Sequence, residues 1–251
     1  MGPPGRPVGE MRLAPPGPPG WRRSAVALVA ILALTSGLPA RADDTQTVLL
    51  QEFNAYVRLT ERTRFFFLAS LTRGLTLDTT DGELGVHLDV TLMPILRRHL
   101  RLGDWERERY LWVRVGYRLA GNLGDADDPS IEHLGILEAT ARVPLPWEMW
   151  LVNRGRADLR DVDGEFSSRL RYRLGLEREF TMWGRTAVPY AQAEVFYDTR
   201  FGAWSRVRYE AGVELALSER WRIEPYYRRQ EDWRPSRAHE NGIGLVLKYY
   251  H

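Results

Sequence analysis

The chain of 251 residues contains no cysteine, which excludes disulfide bonds, thiolate metal sites and cysteine nucleophiles. Lysine is almost absent as well, because Lys248 is the single lysine among 35 basic residues. Long apolar runs are also scarce: past residue 42 no stretch is apolar enough for a transmembrane helix, and the mean hydropathy is −0.38. A membrane-spanning β-barrel is still allowed, because alternating strands hardly register on hydropathy.

The first 42 residues predict a secretory leader. A proline- and glycine-rich start, two arginines and an apolar run at 25–34 precede the small-residue cleavage pattern Ala40-Arg41-Ala42. We therefore expect residues 1–42 to be an N-terminal extension and signal peptide, with Met1 or Met11 as the start, and residues 43–251 to be one β-barrel domain. The alternative, a membrane anchor, needs about 20 apolar residues, and this run is shorter.

The basic charge of the chain comes from that leader. The first 42 residues carry five arginines and one glutamate, so the remainder holds 30 basic and 32 acidic side chains. Nucleic-acid binding depends on a surplus of positive charge, which the remainder lacks. No nucleic-acid partner is therefore expected.

Residues 206–217, RVRYEAGVELAL, show the pattern that most of the chain repeats. Val207 and Tyr209 share one parity with later apolar residues, while Arg206 and Arg208 share the other with glutamates, so a strand here has an apolar and a charged face. Several such stretches exceed the 5 or 6 residues usual in soluble sheets and match the roughly 9 to 11 that cross a bilayer. The candidate strands are 48–60, 65–75, 85–92, 109–119, 131–143, 149–160, 168–179, 188–199, 205–217, 221–230 and 242–251.

These stretches predict an all-β fold, an antiparallel up-and-down transmembrane β-barrel of about 10 to 12 strands in a Gram-negative outer membrane. Eleven candidates are counted, and because bacterial single-chain barrels have even strand numbers, 10 or 12 is expected. If the apolar faces pointed inward, a barrel this wide could not be filled by them. A soluble sandwich would avoid that difficulty but has no need of long strands.

The connections are expected to alternate between short periplasmic turns and longer outer loops. Residues 144–147 and 218–220 are the tight ones, and the longer polar ones are 121–130, 161–166, 198–204 and 231–240. Residues 93–108 break the alternation and predict an amphipathic periplasmic segment at the interface. Tryptophans at strand ends predict two interfacial girdles, with Trp147, Trp150, Trp183 and Trp221 on the periplasmic side and Trp204 and Trp233 on the outer side.

With the apolar faces against lipid, the charged parity lines the lumen, where opposite charges on neighbouring strands can pair. The expected lumen-lining charged residues are Arg114, Arg118, Glu138, Arg142, Arg154, Arg156, Asp158, Arg160, Arg169, Arg171, Arg173, Glu177, Glu194, Arg206, Arg208, Glu210, Glu214, Arg222, Glu224 and Arg228. The arginine rows either stiffen a closed lumen or line a weakly anion-preferring pore.

The last predicted strand reads GLVLKYYH and is similar to the C-terminal signal that the barrel-assembly machinery recognises. Its residues are Leu245, Leu247, Tyr249 and His251, with His251 where an aromatic is commonest. The expected partners are therefore outer-membrane lipids and, during biogenesis, that machinery.

The motif NRGRADLR, with RLRYR after it, resembles the family called domain of unknown function 2490, secreted proteins predicted to be outer-membrane barrels. The likeness rests on Asn153, Arg154, Arg156, Asp158, Arg160, Arg169, Arg171, Tyr172, Arg173, Glu194 and the ending from Asn241, with Asp158 where glutamate is expected. The resemblance implies the fold over nearly the whole mature chain and implies no activity.

Catalytic candidates are few. Outer-membrane lipid hydrolases place His and Ser two apart on one strand, and no His-x-Ser occurs here. His87 and Asp89 share a face without a nearby serine, and Ser130, Glu132 and His133 cluster in a predicted loop. Asp125, Asp127 and Asp128 lack the EF-hand pattern for Ca²⁺, and no histidine has metal-ligand spacing. No cofactor or metal is expected.

The leading hypothesis is a non-enzymatic, porin-like or structural barrel, either an interaction protein or a narrow channel. The first alternative is an outer-membrane enzyme that acts on lipid or lipopolysaccharide. The second is a soluble periplasmic ligand-binding barrel.

Overall fold

The alternating stretches form strands of 12 to 15 residues, apart from one strand of three. The structure is a computed structural model that describes residues 45–76, 79–94, 105–107, 109–123, 130–182, 184–233 and 239–251. The strands are β1 (Thr45–Arg58), β2 (Thr63–Gly74), β3 (Thr80–Pro94), β4 (Arg109–Asn122), β5 (Ile131–Pro144), β6 (Met149–Val162), β7 (Glu165–Arg178), β8 (Phe180–Met182), β9 (Arg185–Asp198), β10 (Ala203–Ala216), β11 (Trp221–Asp232) and β12 (His239–Tyr250). No helix among these residues is long and apolar enough to cross a membrane.

Eleven of the strands close into a ring in the order β1, β2, β3, β4, β5, β6, β7, β9, β10, β11, β12 and back to β1. The short β8 extends β7 along the edge of β9. The all-β barrel fold is thereby confirmed, but the described ring has an odd number of strands where an even number was expected. Because successive strands alternate in direction, an odd ring must close with one parallel pair, and β1 and β12 are that pair.

The apolar parity points away from the barrel and the charged parity points into it. In β7, Leu170, Tyr172 and Leu174 are 50%, 49% and 43% exposed, while Arg171 and Arg173 between them line the interior. The other strands contribute exposed outward residues that include Phe53, Phe65, Phe67, Leu84, Val86, Val115, Tyr117, Leu119, Leu137, Leu159, Tyr227, Ile243 and Leu245. An apolar belt therefore surrounds much of the ring.

One of the expected long connections is shorter than the sequence suggested. We call the end where β1 and β12 finish the lower rim and the opposite end the upper rim. At the upper rim, the expected longer loop at 161–166 is a two-residue turn, in which Asp163 and Gly164 have φ of 52° and 87°. Asp-Gly is the pair that such tight hairpin turns favour, so the strands continue into the predicted loop. Much of the expected loops at 121–130 and 231–240 lies outside the described residues.

The tryptophans follow the predicted girdles with one exception. Trp147 and Trp221 are exposed at the lower rim, and Trp204 and Trp233 are exposed at the upper rim. The exception is Trp150, which is only 5% exposed because it takes the inward parity of β6 and packs under the Arg142 guanidinium at 4.7 Å. Trp183 lies outside the described residues.

Candidate functional site: the barrel lumen

The inward charged residues surround a cavity of about 610 Å³. The cavity is lined by the following members of the expected set: Arg114, Arg118, Glu138, Arg142, Arg154, Arg156, Asp158, Arg169, Arg171, Arg173, Glu177, Arg206, Arg208, Glu210, Glu214, Glu224 and Arg228. Arg160, Glu194 and Arg222 are buried in ion pairs with the same interior network. The lumen is therefore lined by an extended lattice of guanidinium and carboxylate groups.

Glu194 of β9 is the centre of the most basic part of this lattice. It accepts hydrogen bonds from Arg154 at 2.8 Å and from Arg173 at 3.2 Å. Arg171 donates two more, at 2.9 and 3.2 Å, and Arg208 lies 3.8 Å away. Since these arginines belong to β6, β7 and β10, one carboxylate links four strands of the ring.

We call this side of the lumen the arginine wall; it consists of Arg154, Arg156, Arg169, Arg171, Arg173, Arg206 and Arg208. Five described carboxylates lie within ion-pair distance of these seven arginines, namely Glu138, Asp158, Glu194, Asp198 and Asp232. Glu138 is shared with Arg114 outside the wall, and Asp198 with Arg160 and Arg200. The wall therefore carries a local surplus of positive charge.

Phe196 organises three of these arginines without supplying negative charge. Its ring, 2% exposed, lies 4.7 Å from the Arg171 guanidinium carbon, 5.1 Å from that of Arg208 and 5.6 Å from that of Arg206. Such cation–π contacts hold guanidinium groups in place, and they leave most of each group's hydrogen-bonding capacity available for other acceptors. Phe196 shares its parity with Glu194, so the alternation already turned it inward, but only charged residues of that parity were singled out.

Residues 105–107 lie inside the barrel, and we call them the plug segment. Trp105 is 4% exposed and lies under the guanidinium carbons of Arg64 and Arg109, at 4.6 and 5.3 Å. Arg107 reaches Glu214 of β10 with a 2.8 Å hydrogen bond. Since β10 stands across the ring from β3 and β4, the plug segment crosses the lumen near the lower rim.

This placement corrects the expectation that 93–108 lies at the membrane interface. The charged lumen offers partners to the charged residues of the segment and stacking partners to Trp105, and lipid offers neither. Residues 95–104 and 108 lie outside the described part of the chain.

Glu214 is the main carboxylate near the lower rim. Besides Arg107 it binds Arg222 at 3.0 Å and Lys248 at 2.6 Å. Glu224 also binds Lys248, at 2.5 Å, and accepts a hydrogen bond from Tyr190 at 2.6 Å. The single lysine is thus an interior ion-pair partner on the last strand, a role that the sequence analysis did not assign.

His87 and Asp89 both face the lumen, but each has its own partners. Asp89 is fully buried and binds Arg64 at 2.7 Å and Arg114 at 2.6 Å. His87 accepts a hydrogen bond at Nε2 from Arg118 at 3.0 Å, so its proton resides on Nδ1, which is 3.3 Å from the Phe66 carbonyl oxygen. The two residues share a face, as expected, but they belong to two different arginine clusters.

The remaining candidates do not converge. Glu132 faces inward and binds Arg160, whereas His133 faces outward beside Tyr117, and Ser130 stands at the upper rim before β5. No group of three metal-ligating side chains exists among the described residues. Asp125, Asp127 and Asp128 lie outside them. On the last strand, Leu245 is exposed on the outer face, Tyr249 packs against Trp221, and His251 follows β12.

Opposite the arginine wall the lumen has an apolar wall, made of Leu50, Leu68, Tyr226 and Val246. All four are buried, at 5 to 7% exposure, and they belong to β1, β2, β11 and β12. In the ring, β1 is five steps from β6 in one direction and five from β7 in the other, so the arginines of β6 and β7 face the apolar wall, whereas Arg206 and Arg208 lie on β10 beside β11. Sequence reasoning missed this wall because it treated the inward face of every strand as charged.

Comparison with known proteins identifies a family and no activity. No curated protein matches the sequence. Among solved structures, the chain is similar to the β-domain of the Bordetella autotransporter Brka, with 16% identity over 69% of this chain and 79% of that one and a TM-score of 0.45. The profile of the family described as "Protein of unknown function (DUF2490)" matches residues 102–241, which span β4 to β11. Because this match covers more than half of the chain, the protein belongs to that family, in agreement with the resemblance of its arginine motifs.

Proposed function

We propose that the protein is a non-enzymatic β-barrel of the Gram-negative outer membrane, exported with a cleaved signal peptide and closed to ion flow by its own side chains. The observation that carries the proposal is the exposed apolar belt around a charged interior. Soluble monomers rarely expose contiguous apolar patches beyond a few hundred Å². Barrels in outer membranes have apolar outward faces and polar interiors.

The closed lumen supports a structural or interaction role in preference to transport. The plug segment joins opposite walls near the lower rim through Arg107 and Glu214. Arginine–carboxylate pairs fill much of the remaining interior, where they stiffen the ring. Outer-membrane lipids are the proposed surroundings, and the barrel-assembly machinery is the proposed partner during insertion.

A narrow, weakly anion-preferring channel is the second candidate, and the arginine wall favours it. Charged rings along a pore set its selectivity, and a surplus of arginine attracts anions. Displacement of the plug segment would be needed for such a path.

The enzyme and soluble-barrel alternatives have weaker support. His87 has no serine beside it among the described residues and is held by Arg118 and Phe66, so it lacks the neighbours of a general base. A soluble periplasmic barrel would have to keep residues such as Leu84 and Ile243, 63% and 64% exposed, in contact with water.

The deciding experiment is fractionation of cells that produce the full chain, followed by electrophoresis with and without boiling. We expect the protein in the outer membrane, with a folded form that migrates differently from the boiled form. A protein recovered in the soluble periplasmic fraction would overturn the proposal.

A further inference from the structure

We propose that the lumen cavity is a binding site for a small anionic amphiphile, a molecule with one carboxylate or phosphate head and an apolar body. The inference concerns the interior, and its test rests on the membrane location proposed above, because the chain is assayed in nanodiscs; failure to insert into nanodiscs is distinct from failure to bind a probe. It rests on the two unlike walls of the cavity, on their common height in the barrel and on the rigidity of the groups that line it.

The head would bind at the arginine wall. The seven arginines of this wall meet five carboxylates, and Arg208 is the least neutralised of those on Phe196, because it donates to the uncharged Gln230 amide oxygen at 2.7 and 3.2 Å and lies 3.8 Å from Glu194. Guanidinium groups bind carboxylate and phosphate through paired hydrogen bonds, so this wall suits an oxyanion.

The body would lie against the apolar wall. Leu50, Leu68, Tyr226 and Val246 line the cavity, and the 5 to 7% of each side chain that its neighbours leave exposed is apolar surface for the ligand. A free inorganic anion would gain nothing from these residues. An apolar group on the same molecule would remove their surface from water.

The two walls lie at the same level of the barrel. Leu50, Leu68 and Tyr226 are near the middle of β1, β2 and β11, and Arg154 and Arg171 are near the middle of β6 and β7. Strands of similar length in one ring bring their midpoints to a similar height. One ligand can therefore contact both walls at once.

The cavity is of suitable size and is held in shape before any ligand binds. Its volume of about 610 Å³ lies within the range of roughly 300 to 1,000 Å³ that is usual for small-molecule pockets. Tyr226 lies flat over Gly244, where a Cβ atom would be only 2.0 Å from the ring. Phe196 fixes the arginines opposite, so neither wall must reorganise to receive a ligand.

The test is equilibrium dialysis with the full chain in phosphatidylcholine nanodiscs. It measures the affinities of three probes: phenyl phosphate, inorganic phosphate and phenol. Because burial of an apolar ring adds to the charged contacts, we expect phenyl phosphate to bind about tenfold more tightly than either other probe. Equal affinity for phenyl phosphate and inorganic phosphate, or the absence of saturable binding, would overturn the proposal.

Single substitutions test separately the contact of the ligand head with the arginine wall and the contact of its body with the apolar wall. Arg208→Gln should weaken phenyl phosphate binding about tenfold, and Leu50→Thr should weaken it while leaving inorganic phosphate binding unchanged. Arg229→Gln is the matched control, because Arg229 has the outward parity of β11 and pairs with Glu231. Heat-modifiable mobility shows which variants are folded. If Arg208→Gln is folded and binds as well as Arg229→Gln, the proposal fails.

A last experiment distinguishes a ligand that comes from the membrane from one that comes from solution. The dialysis is repeated in nanodiscs that contain phosphatidylglycerol. Lower apparent affinity for phenyl phosphate there would identify a membrane lipid as the competing occupant, and unchanged affinity would identify a water-soluble amphiphile. Both results support the site.

Discussion

Arg171 and Glu194 form a two-point pair across β7 and β9, with Nε donating to Oε1 at 3.2 Å and Nη2 donating to Oε2 at 2.9 Å. Three further arginines surround the same carboxylate, so its charge holds the wall together. We expect Glu194→Gln to destabilise the barrel by about 3 to 5 kcal/mol, because it leaves buried guanidinium groups without their counter-charge. The midpoint of urea unfolding in detergent measures this.

The control for that variant is Glu231→Gln, which breaks a pair with Arg229 on the outer face. Partly exposed pairs contribute about 0 to 1 kcal/mol, so its midpoint should stay near that of the native chain. Equal midpoints for the two variants would show that Glu194 does not organise the lumen.

The plug segment is expected to control conductance. The native protein should show no steady current in planar bilayers, because Trp105 and Arg107 block the lumen near the lower rim. The double variant Trp105→Ala/Arg107→Ala should give a small current that favours chloride over potassium, since the arginine wall then lines the open path.

Two comparisons make the conductance result specific. Adding Arg171→Glu to the double variant should reduce the chloride preference. Trp147→Ala, at a lower-rim turn with 79% exposure, should conduct no more than the native chain. A large, cation-selective current from the native protein would contradict both the closed state and the role of the arginines.

His87→Ala should leave lipid composition and lipid A acylation unchanged in cells, because no nucleophile accompanies the imidazole. Mass spectrometry of extracted lipid A measures this. The variant should still lower stability by roughly 1 to 3 kcal/mol, because Arg118 loses a buried acceptor. Loss of an acyl-chain modification in the variant would instead point to an enzyme.

Gly244→Ala tests the close approach of Tyr226. The new methyl group would lie 2.0 Å from the ring, so the ring must move, at a cost of about 1 to 3 kcal/mol in folding free energy. Gly155→Ala is the matched control, since nothing lies within 4 Å of a Cβ atom there. The urea midpoint should fall for Gly244→Ala and not for Gly155→Ala. Adding Tyr226→Leu to Gly244→Ala should bring the midpoint back up. Equal midpoints for the two alanine variants would contradict the packing.

The alternation of side chains was enough to predict the barrel, because a period of two is a local property of each strand. Arg169, Arg171 and Arg173 illustrate this, since their shared parity needs no knowledge of neighbouring strands to place them on one face. The exact ring was not predictable in the same way. The number of strands follows from how β1 meets β12, a contact between the two ends of the barrel.

Two of the three missed features depend on contacts between residues that are distant in the sequence. The stretch 93–108 has an amphipathic sequence. The location of the plug segment within it depends on contacts with Glu214 and Arg64, which are far away in the sequence. Trp150 was assigned to a girdle because it lies at a strand end. Its parity, however, points its side chain into the lumen, where it packs against the Arg142 guanidinium. The pairing of His87 with Arg118, in preference to Asp89, depends likewise on the register of β3 against β4. Tertiary contacts decided the positions of the plug segment and of the His87 side chain, whereas the parity of Trp150 was already present in the sequence.

The parallel contact of β1 with β12 has a consequence for how the chain folds. Every other neighbour pair in the ring joins strands that are close in sequence, so loop closure costs little for them, whereas Tyr56 must find Tyr250 across most of the chain. Contacts of such high sequence separation slow folding. We therefore expect closure of this seam to be the last and slowest step. Until then β1 and β12 are both open edges, able to pair with other chains.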